Sequence, residues 1–80
     1  MLKKPIYGEG QYIIRIRILN HTGRFTSIYC PQVFDKLYEA KACVEMEAIP
    51  GINVYELREK YFDQVYVAIL DYSGKVVYSE

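Results

Sequence analysis

The chain has 80 residues and a mass of 9.4 kDa, with ten Lys plus Arg, ten Asp plus Glu and 51% hydrophobic residues. A chain of this size buries only roughly 60% of its unfolded surface, which excludes a second domain and the architecture of a large enzyme. The high apolar content excludes disorder, and the formal net charge of zero argues against a bulk nucleic-acid binder. Residues 1–80 are therefore expected to fold as a single domain.

The sequence indicates neither membrane insertion nor disulfide bonding. Its longest apolar runs, such as residues 65–70, are far shorter than the ~20 residues that a membrane-spanning helix needs. No signal-type apolar segment follows the N-terminus. Cys30 and Cys43 are too few for a disulfide framework, and both are expected to be free thiols. These features predict a soluble cytoplasmic protein with no membrane association.

Residues 11–29 have the pattern of a β-hairpin, preceded by an N-terminal arm, residues 1–10. Isoleucines at positions 14, 16 and 18 alternate with Arg15 and Arg17, as in a strand with one buried face. A turn at residues 20–23 leads into β-favouring residues. A three-residue loop with a left-handed glycine sets the register. It predicts Leu19 opposite Phe25, Arg17 opposite Ser27, and Arg15 opposite Tyr29.

The same turn chemistry recurs near the C-terminus. Residues 18–25 align with residues 69–76, and every aligned pair is identical or similar in type except His21 and Tyr72. Shared turn chemistry explains this better than internal duplication, because eight residues cannot establish a repeat. A second antiparallel hairpin is therefore predicted. Its register is expected to place four side chains on one face: Tyr66, Leu70, Val76 and Tyr78.

One amphipathic helix is predicted between the hairpins, over residues 31–48. Pro31 suits a first helical position, apolar residues recur at helical spacing, and Pro50 followed by glycine is a strong stop signal. The fold expected so far is an α+β two-layer sandwich, with the antiparallel sheet covered by this one helix.

The segment 53–62 is ambiguous, within a C-terminal region 53–80 that forms either a meander or a short helix plus a hairpin. Asn53 followed by Glu56 resembles a helix cap, whereas Tyr55, Leu57 and Tyr61 alternate with charged residues as a strand would. We favour the strand, because it would form a meander with the strand that follows. The order of elements is then ββα followed by βββ, with ββα followed by ββ as the alternative.

No arrangement of residues in the sequence indicates catalysis, a metal site or a cofactor. Cys30 is the candidate nucleophile, since a thiol at a helix start can have a lowered pKa, but His21 would lie ~30 Å away at a hairpin tip. No two candidate ligands have metal-binding spacing. Gly8-Glu9-Gly10 lacks the third glycine and the following helix of a phosphate-binding loop. The protein is therefore expected to be non-enzymatic.

The nine tyrosines, without a single tryptophan, point to an interaction surface. Tyr and Arg are over-represented in protein interfaces because they supply large contact areas with polar tips. If isoleucines 14, 16 and 18 face the helix, the opposite sheet face is more apolar than a solvent-exposed surface without a binding role usually is. That face could bind a partner, pair with a second copy in a homodimer, or be covered by Leu2, Ile6 and Tyr7 of the arm. The expected partner-binding residues are Arg15, Arg17, Phe25, Tyr29, Tyr66 and Tyr78.

The sequence therefore favours a protein-interaction module whose partner is a protein, with a host nucleoprotein complex as one option. In its order of elements, and in no particular residue, the chain resembles small two-layer α+β proteins of phages and mobile elements, among them anti-CRISPR inhibitors. This resemblance implies a viral accessory protein that binds and inhibits a host complex, in the cytoplasm of the host cell if it is phage-encoded. The alternative is a single-stranded nucleic-acid-binding module on the same face, which is less favoured because it has only two arginines and no RNA-recognition signature.

Overall fold

The computed structural model describes residues 3–80, which contain a four-stranded antiparallel sheet and two short helices. The elements follow in the order β1 (Ile13–Leu19), β2 (Phe25–Tyr29), α1 (Leu37–Glu45), α2 (Val54–Lys60), β3 (Val65–Leu70) and β4 (Val76–Ser79). In the sheet the strands lie in the order β2-β1-β3-β4, and every neighbouring pair is antiparallel. The α+β class predicted from the sequence is confirmed.

Both hairpins form, and the register predicted for the first is confirmed: Leu19 lies opposite Phe25, and Arg15 lies opposite Tyr29. Gly23 has a φ of 83° and Gly74 a φ of 85°, left-handed values that a residue without Cβ adopts without strain. The same hydrogen bonds close both turns. Asn20 Oδ1 accepts from the backbone N–H groups of Thr22 and Arg24, and Asp71 Oδ1 accepts from those of Ser73 and Lys75.

The hydrophobic core joins the helices to one face of the sheet, which we call the helix face. Ile14, Ile16 and Ile18 are buried there, as the alternating pattern predicts. They belong to one cluster with side chains of β3, of both helices and of the connecting segments: Val65, Val67, Ile69, Ala40, Val44, Val54, Cys30, Phe34 and Ile49. The odd-numbered residues of β1 consequently point to the other side of the sheet.

The helix predicted over residues 31–48 is wrong in its boundaries, because α1 has only nine residues. Ahead of α1, Phe34 pairs with Tyr12, and each donates a backbone hydrogen bond of 2.8 Å to the other. A backbone that forms this bridge is extended, so Pro31 does not start a helix. At the other end, Glu47 adopts a left-handed φ of 53°, which terminates the helix before Pro50.

The strand predicted for residues 53–62 is also wrong, because this segment contains α2. Asn53 Oδ1 accepts a hydrogen bond of 3.1 Å from the backbone N–H of Glu56, which is the N-cap bond of the helix. The alternative of a short helix followed by a hairpin is therefore correct, and two helices rather than one pack against the sheet. Within residues 3–80, neither helix is long and apolar enough to span a membrane.

Candidate functional site

The face of the sheet that points away from the helices carries the candidate site, and we call it the open face. Arg15 and Arg17 of β1 project there, because the isoleucines between and beside them face the core. The register adds Phe25 and Tyr29 from β2 and Tyr66 from β3, which lie opposite these β1 residues or beside them. The sequence prediction that this face carries arginines and aromatic rings is thus confirmed for these five side chains.

The N-terminal arm covers one end of the open face. Ile13 and Leu70 lie opposite each other on this face, yet they are 0% and 3% exposed. Tyr7 lies at this end, where its hydroxyl donates a hydrogen bond to the backbone oxygen of Asp71, and its ring packs edge-on against Tyr72 with 6.2 Å between ring centres. Burial, followed by the nearby charge of Asp71, raises the pKa of the Tyr7 phenol. The alternative in which the arm covers part of this face therefore agrees with the position of Tyr7.

A tight turn brings the arm into this position. Gln11 donates a backbone hydrogen bond of 3.0 Å to the oxygen of Gly8, and its side chain accepts one of 2.7 Å from the N–H of Gly8. Of the three arm residues that could cover the face, Tyr7 is partly buried at this end, whereas Ile6 is 99% exposed. Leu2 lies outside the described residues.

Five side chains of the open face line one accessible surface that we call the basic-aromatic patch, which extends from Phe25 to the neighbour of Leu70 on β4: Arg15, Arg17, Phe25, Tyr66 and Val76. Phe25, Tyr66 and Val76 are 49%, 45% and 42% exposed. The rings of Phe25 and Tyr66 meet edge-on at 6.1 Å, and the Arg17 guanidinium lies 4.1 Å from the centre of the Phe25 ring. The patch lines a shallow groove of about 360 Å³. A cation and two aromatic rings therefore share one concave, solvent-accessible surface.

The two arginines of the patch are not neutralised by carboxylates of the described chain. Both ion pairs within residues 3–80 belong to Arg58, which contacts Glu47 and Glu80. The Nε atom of Arg15 is buried and has no hydrogen-bond partner among the described residues. Because neither guanidinium has a carboxylate partner in the described chain, a carboxylate brought by a bound molecule would interact favourably with the exposed N–H groups of Arg15 or Arg17.

Two of the six predicted partner-binding residues do not belong to this patch. Tyr29 is on the open face opposite Arg15, but it is partly buried, lies near Tyr7 and does not line the groove. Tyr78 lies on the helix face, where it packs against the core beneath Lys41, whose Nζ is 5.0 Å from the centre of the Tyr78 ring.

A β-bulge explains why the prediction for Tyr78 is wrong. Leu70 pairs with Val76, but its neighbour Ile69 pairs with Tyr78, so β4 contains one extra residue at this point. An extra residue reverses the alternation of side chains, because each face receives every second residue. Val76 consequently stays on the open face with Tyr66, as the hairpin register predicts, while Tyr78 moves to the core. Val76 was on the predicted face but was not singled out as a site residue.

Cys30 has the surroundings of a structural thiol. Its side chain is fully buried, and Sγ lies 3.4 Å from the backbone oxygen of Pro50 as a hydrogen-bond donor. Burial raises the pKa of this thiol, which disfavours the reactive thiolate. Because α1 begins at Leu37, Cys30 does not occupy the helix start that made it a candidate nucleophile. Both Cys30 and Cys43 are free thiols.

Residues 3–80 contain no cluster of three or more His, Cys, Asp or Glu side chains that could hold a metal ion.

Comparisons of this chain with known protein families, with curated proteins and with solved structures found no match. The chemistry of the basic-aromatic patch is therefore the basis for a functional interpretation. Its guanidinium groups can bind carboxylates in a bidentate manner, and its apolar side chains can be buried against a complementary surface.

Proposed function

We propose that the protein is a non-enzymatic interaction module that binds a protein partner through the basic-aromatic patch. The observation that carries the proposal is the grouping of Arg15 and Arg17, without carboxylate partners, beside three exposed apolar or aromatic side chains in one groove. Arg and aromatic residues dominate the energetically important centres of protein interfaces. The complementary partner surface presents a carboxylate to the arginines and apolar side chains to Phe25, Tyr66 and Val76.

The geometry of Phe25 favours a protein over a single-stranded nucleic acid. Bases bind such surfaces by stacking on open aromatic faces above a track of cations. Here the Arg17 guanidinium already occupies one face of the Phe25 ring, and Tyr66 contacts the same ring edge-on. The patch also supplies only two cations, too few to follow a phosphate backbone over several nucleotides.

Binding of this kind would prevent other molecules from using the same surface of the partner. That effect agrees with the inhibitory role implied by the resemblance to small phage proteins. Free thiols at both cysteines suit a reducing compartment, and we accordingly place the interaction in the cytoplasm.

Affinity capture with the full chain as bait tests the proposal. Arg17→Ala combined with Tyr66→Ala removes two patch side chains, and we expect at least a tenfold loss of the captured partner, since side chains at interface centres each contribute roughly 1–2 kcal/mol. Arg24→Ala combined with Tyr55→Ala is the matched control, because both residues are exposed and lie outside the patch. The control should keep its free energy of unfolding within about 1 kcal/mol of the parent chain, and circular dichroism must show that the patch variant, which also loses two contacts with Phe25, is still folded during capture.

Nuclease treatment and a salt series separate the two kinds of partner. A protein partner remains bound after nuclease digestion and shows a shallow dependence on salt. A single-stranded nucleic acid would be released by nuclease, and its affinity would fall log-linearly with salt concentration. Equal capture by the patch variant and its control would rule out this surface as the binding site.

A further inference from the structure

Strand β2 forms an open edge of the sheet. Two backbone hydrogen bonds flank the pairing of β1 with β2: the N–H of Cys30 donates to the oxygen of Ile14, and the N–H of Asn20 donates to the oxygen of Arg24. Because hydrogen-bonded positions alternate along an antiparallel pair, the even-numbered residues of β2, Thr26 and Ile28, direct their backbone groups toward β1. The odd-numbered residues must then direct their N–H and C=O groups away from β1, toward the outer side of the sheet. These residues are Phe25, Ser27 and Tyr29.

This edge lacks the features that protect most edge strands from pairing. The five residues of β2 include no charged residue and no proline, and their pairing with β1 has no bulge. The opposite edge, β4, has only four residues and carries the bulge described above. Short length, bulges, charges and prolines are the usual means of blocking an edge. Of the two edges, β2 is therefore the one suited to accept another strand.

We propose that a second copy of this chain pairs with β2, forming a two-fold symmetric dimer in which two four-stranded sheets become one continuous sheet. Antiparallel pairing centred on Ser27 places it opposite Ser27 of the second copy, and places Phe25 opposite Tyr29 of the second copy. Every outward N–H and C=O group of the three residues then meets a partner. One strand satisfies both sides of such an interface, which is the property of an isologous contact.

The side chains of β2 suit pairing with themselves. On the open face an aromatic residue meets an aromatic residue, which is a favourable cross-strand combination. On the helix face Thr26 meets Ile28 of the second copy, and both are β-branched residues that suit a strand. A shallow groove of about 290 Å³, lined by Ile28, Ile52 and Leu57 among others, lies beside the strand on the helix side. Its apolar side chains would lose solvent exposure when the second copy packs alongside, and the two charged residues that also line it, Glu56 and Lys60, are of opposite sign.

The charges near β2 do not oppose this arrangement. The strand itself is uncharged, and the formal net charge of the whole chain is zero. In the proposed register Arg24 lies opposite position 30 of the second copy, so the Arg24 residues of the two copies are about 20 Å apart at opposite ends of the strand pair. This separation exceeds the Debye length at physiological ionic strength, and their repulsion is largely screened.

Pairing of this kind places the open faces of both copies on the same side of the continuous sheet. The dimer therefore presents two basic-aromatic patches to a partner, which suits a partner with two-fold symmetry or repeated binding sites. The dimer uses the edge of the sheet and does not depend on the proposed partner binding. Its assay contains no other protein, so the dimer and the partner interaction can fail separately.

Sedimentation of the full chain over a concentration series tests the dimer. We expect a species of twice the 9.4 kDa chain mass for the parent protein and a 9.4 kDa species for Ser27→Pro. Proline at position 27 removes an outward N–H and obstructs the incoming strand, but it preserves the bonds between β1 and β2.

Ser79→Pro is the matched control on the other edge of the sheet. Glu80 donates its backbone hydrogen bond to Val67, so the N–H of Ser79 points outward from β4 in the same way as that of Ser27. This variant should still dimerise. Dissociation by both proline variants, or by Ser79→Pro alone, would contradict the assignment to β2.

A charge pair at the two-fold axis tests the register without a proline. Ser27→Lys alone and Ser27→Glu alone should each be monomeric, because like charges then face each other across the axis. Mixing the two variants should restore a dimer that contains one copy of each. A monomeric parent protein at every concentration, or a dimer that tolerates all three substitutions at Ser27, would overturn the proposal.

Discussion

Tyr7 is expected to stabilise the fold although it lies in the N-terminal arm, outside every helix and strand. Replacing Tyr7 by Ala removes the hydrogen bond from its hydroxyl to Asp71, the edge-on contact with Tyr72, and the partial burial of its ring at the end of the open face that contains Ile13 and Leu70. All three interactions connect residues that are far apart in the sequence, so the unfolded chain does not retain them.

The three contributions add to about 2.5 kcal/mol. A net neutral hydrogen bond contributes about 1 kcal/mol. The aromatic contact contributes about 0.5 kcal/mol, at the low end of its range because Tyr72 is 59% exposed. Partial burial of the ring contributes about 1 kcal/mol, less than the roughly 1.5–3 kcal/mol of a fully buried large apolar side chain. Tyr7→Phe removes only the hydrogen bond and should therefore lower the free energy of unfolding by about 1 kcal/mol.

Urea unfolding followed by circular dichroism measures these differences. The control is Ile6→Ala, which truncates the fully exposed neighbour of Tyr7 and should change the free energy of unfolding by less than about 0.5 kcal/mol. If Tyr7→Ala is no more destabilising than Ile6→Ala, the arm does not hold the end of the open face that we assign to it, and another segment must bury Ile13 and Leu70.

The alkaline limb of the stability curve provides an independent check on the same bond. The phenol must be protonated to donate to Asp71, and its pKa in the folded state is raised. Its contribution to stability is therefore complete below the unfolded pKa, about 10, and is lost as the pH rises through the higher folded value. Tyr7→Phe should lack this part of the alkaline destabilisation.

Two further predictions concern local hydrogen bonds that the chain uses to close a turn and to begin a helix. Hydrogen bonding by the Ser73 side chain, followed by that of the Lys75 backbone, lowers the pKa of the Asp71 carboxyl group. The ionised carboxylate therefore stabilises the fold above its unfolded pKa, about 3.9, and this stabilisation is lost as the pH falls through the lower folded value. The thermal unfolding midpoint of Asp71→Asn should consequently lie below that of the parent chain at pH 7 and approach it in acid; a constant difference would contradict the charged bond. Asn53→Ala removes the N-cap of α2 and should lower the free energy of unfolding by about 1 kcal/mol in urea, whereas Glu59→Ala on the same exposed helix surface should change it little. An Asn53→Ala variant as stable as the parent chain would show that the cap does not hold α2.

The hairpins could be predicted because their determinants are local. In each turn an Asn or Asp side chain bonds to amides only two and four residues ahead, and a glycine three residues on adopts the left-handed conformation. The alternation of isoleucine with arginine then assigns the faces of β1. Once the type and length of the first turn are known, the residues of β2 that lie opposite Arg15, Arg17 and Leu19 are found by counting outward from the turn.

The helix boundaries could not be predicted because contacts with the sheet decide them. The apolar spacing from Val33 to Ala48 is helical throughout, but Phe34 forms its hydrogen bonds with Tyr12, which lies 22 residues earlier in the chain. In α2 the seven-residue segment is too short for its periodicity to distinguish helix from strand. The N-cap bond from Asn53 to Glu56 is local and favours the helix over the strand.

The candidate site combines both kinds of information. The grouping of Arg15, Arg17, Phe25 and Tyr66 on one face follows from alternation and register, which depend on neighbouring residues. The bulge that moves Tyr78 into the core, and the arm that covers the face near Tyr29, depend on how separate elements pack.

By itself, the sequence determined the two hairpins, the orientation of β1 and the separation of apolar from basic side chains, since those choices are made by interactions among residues a few positions apart. Only the tertiary structure decided where α1 begins, which side of the sheet receives Tyr78 and how much of the open face is accessible to a partner. Those outcomes rest on hydrogen bonds and apolar contacts between distant segments, and such interactions acquire their favourable free energy only when the whole chain is folded.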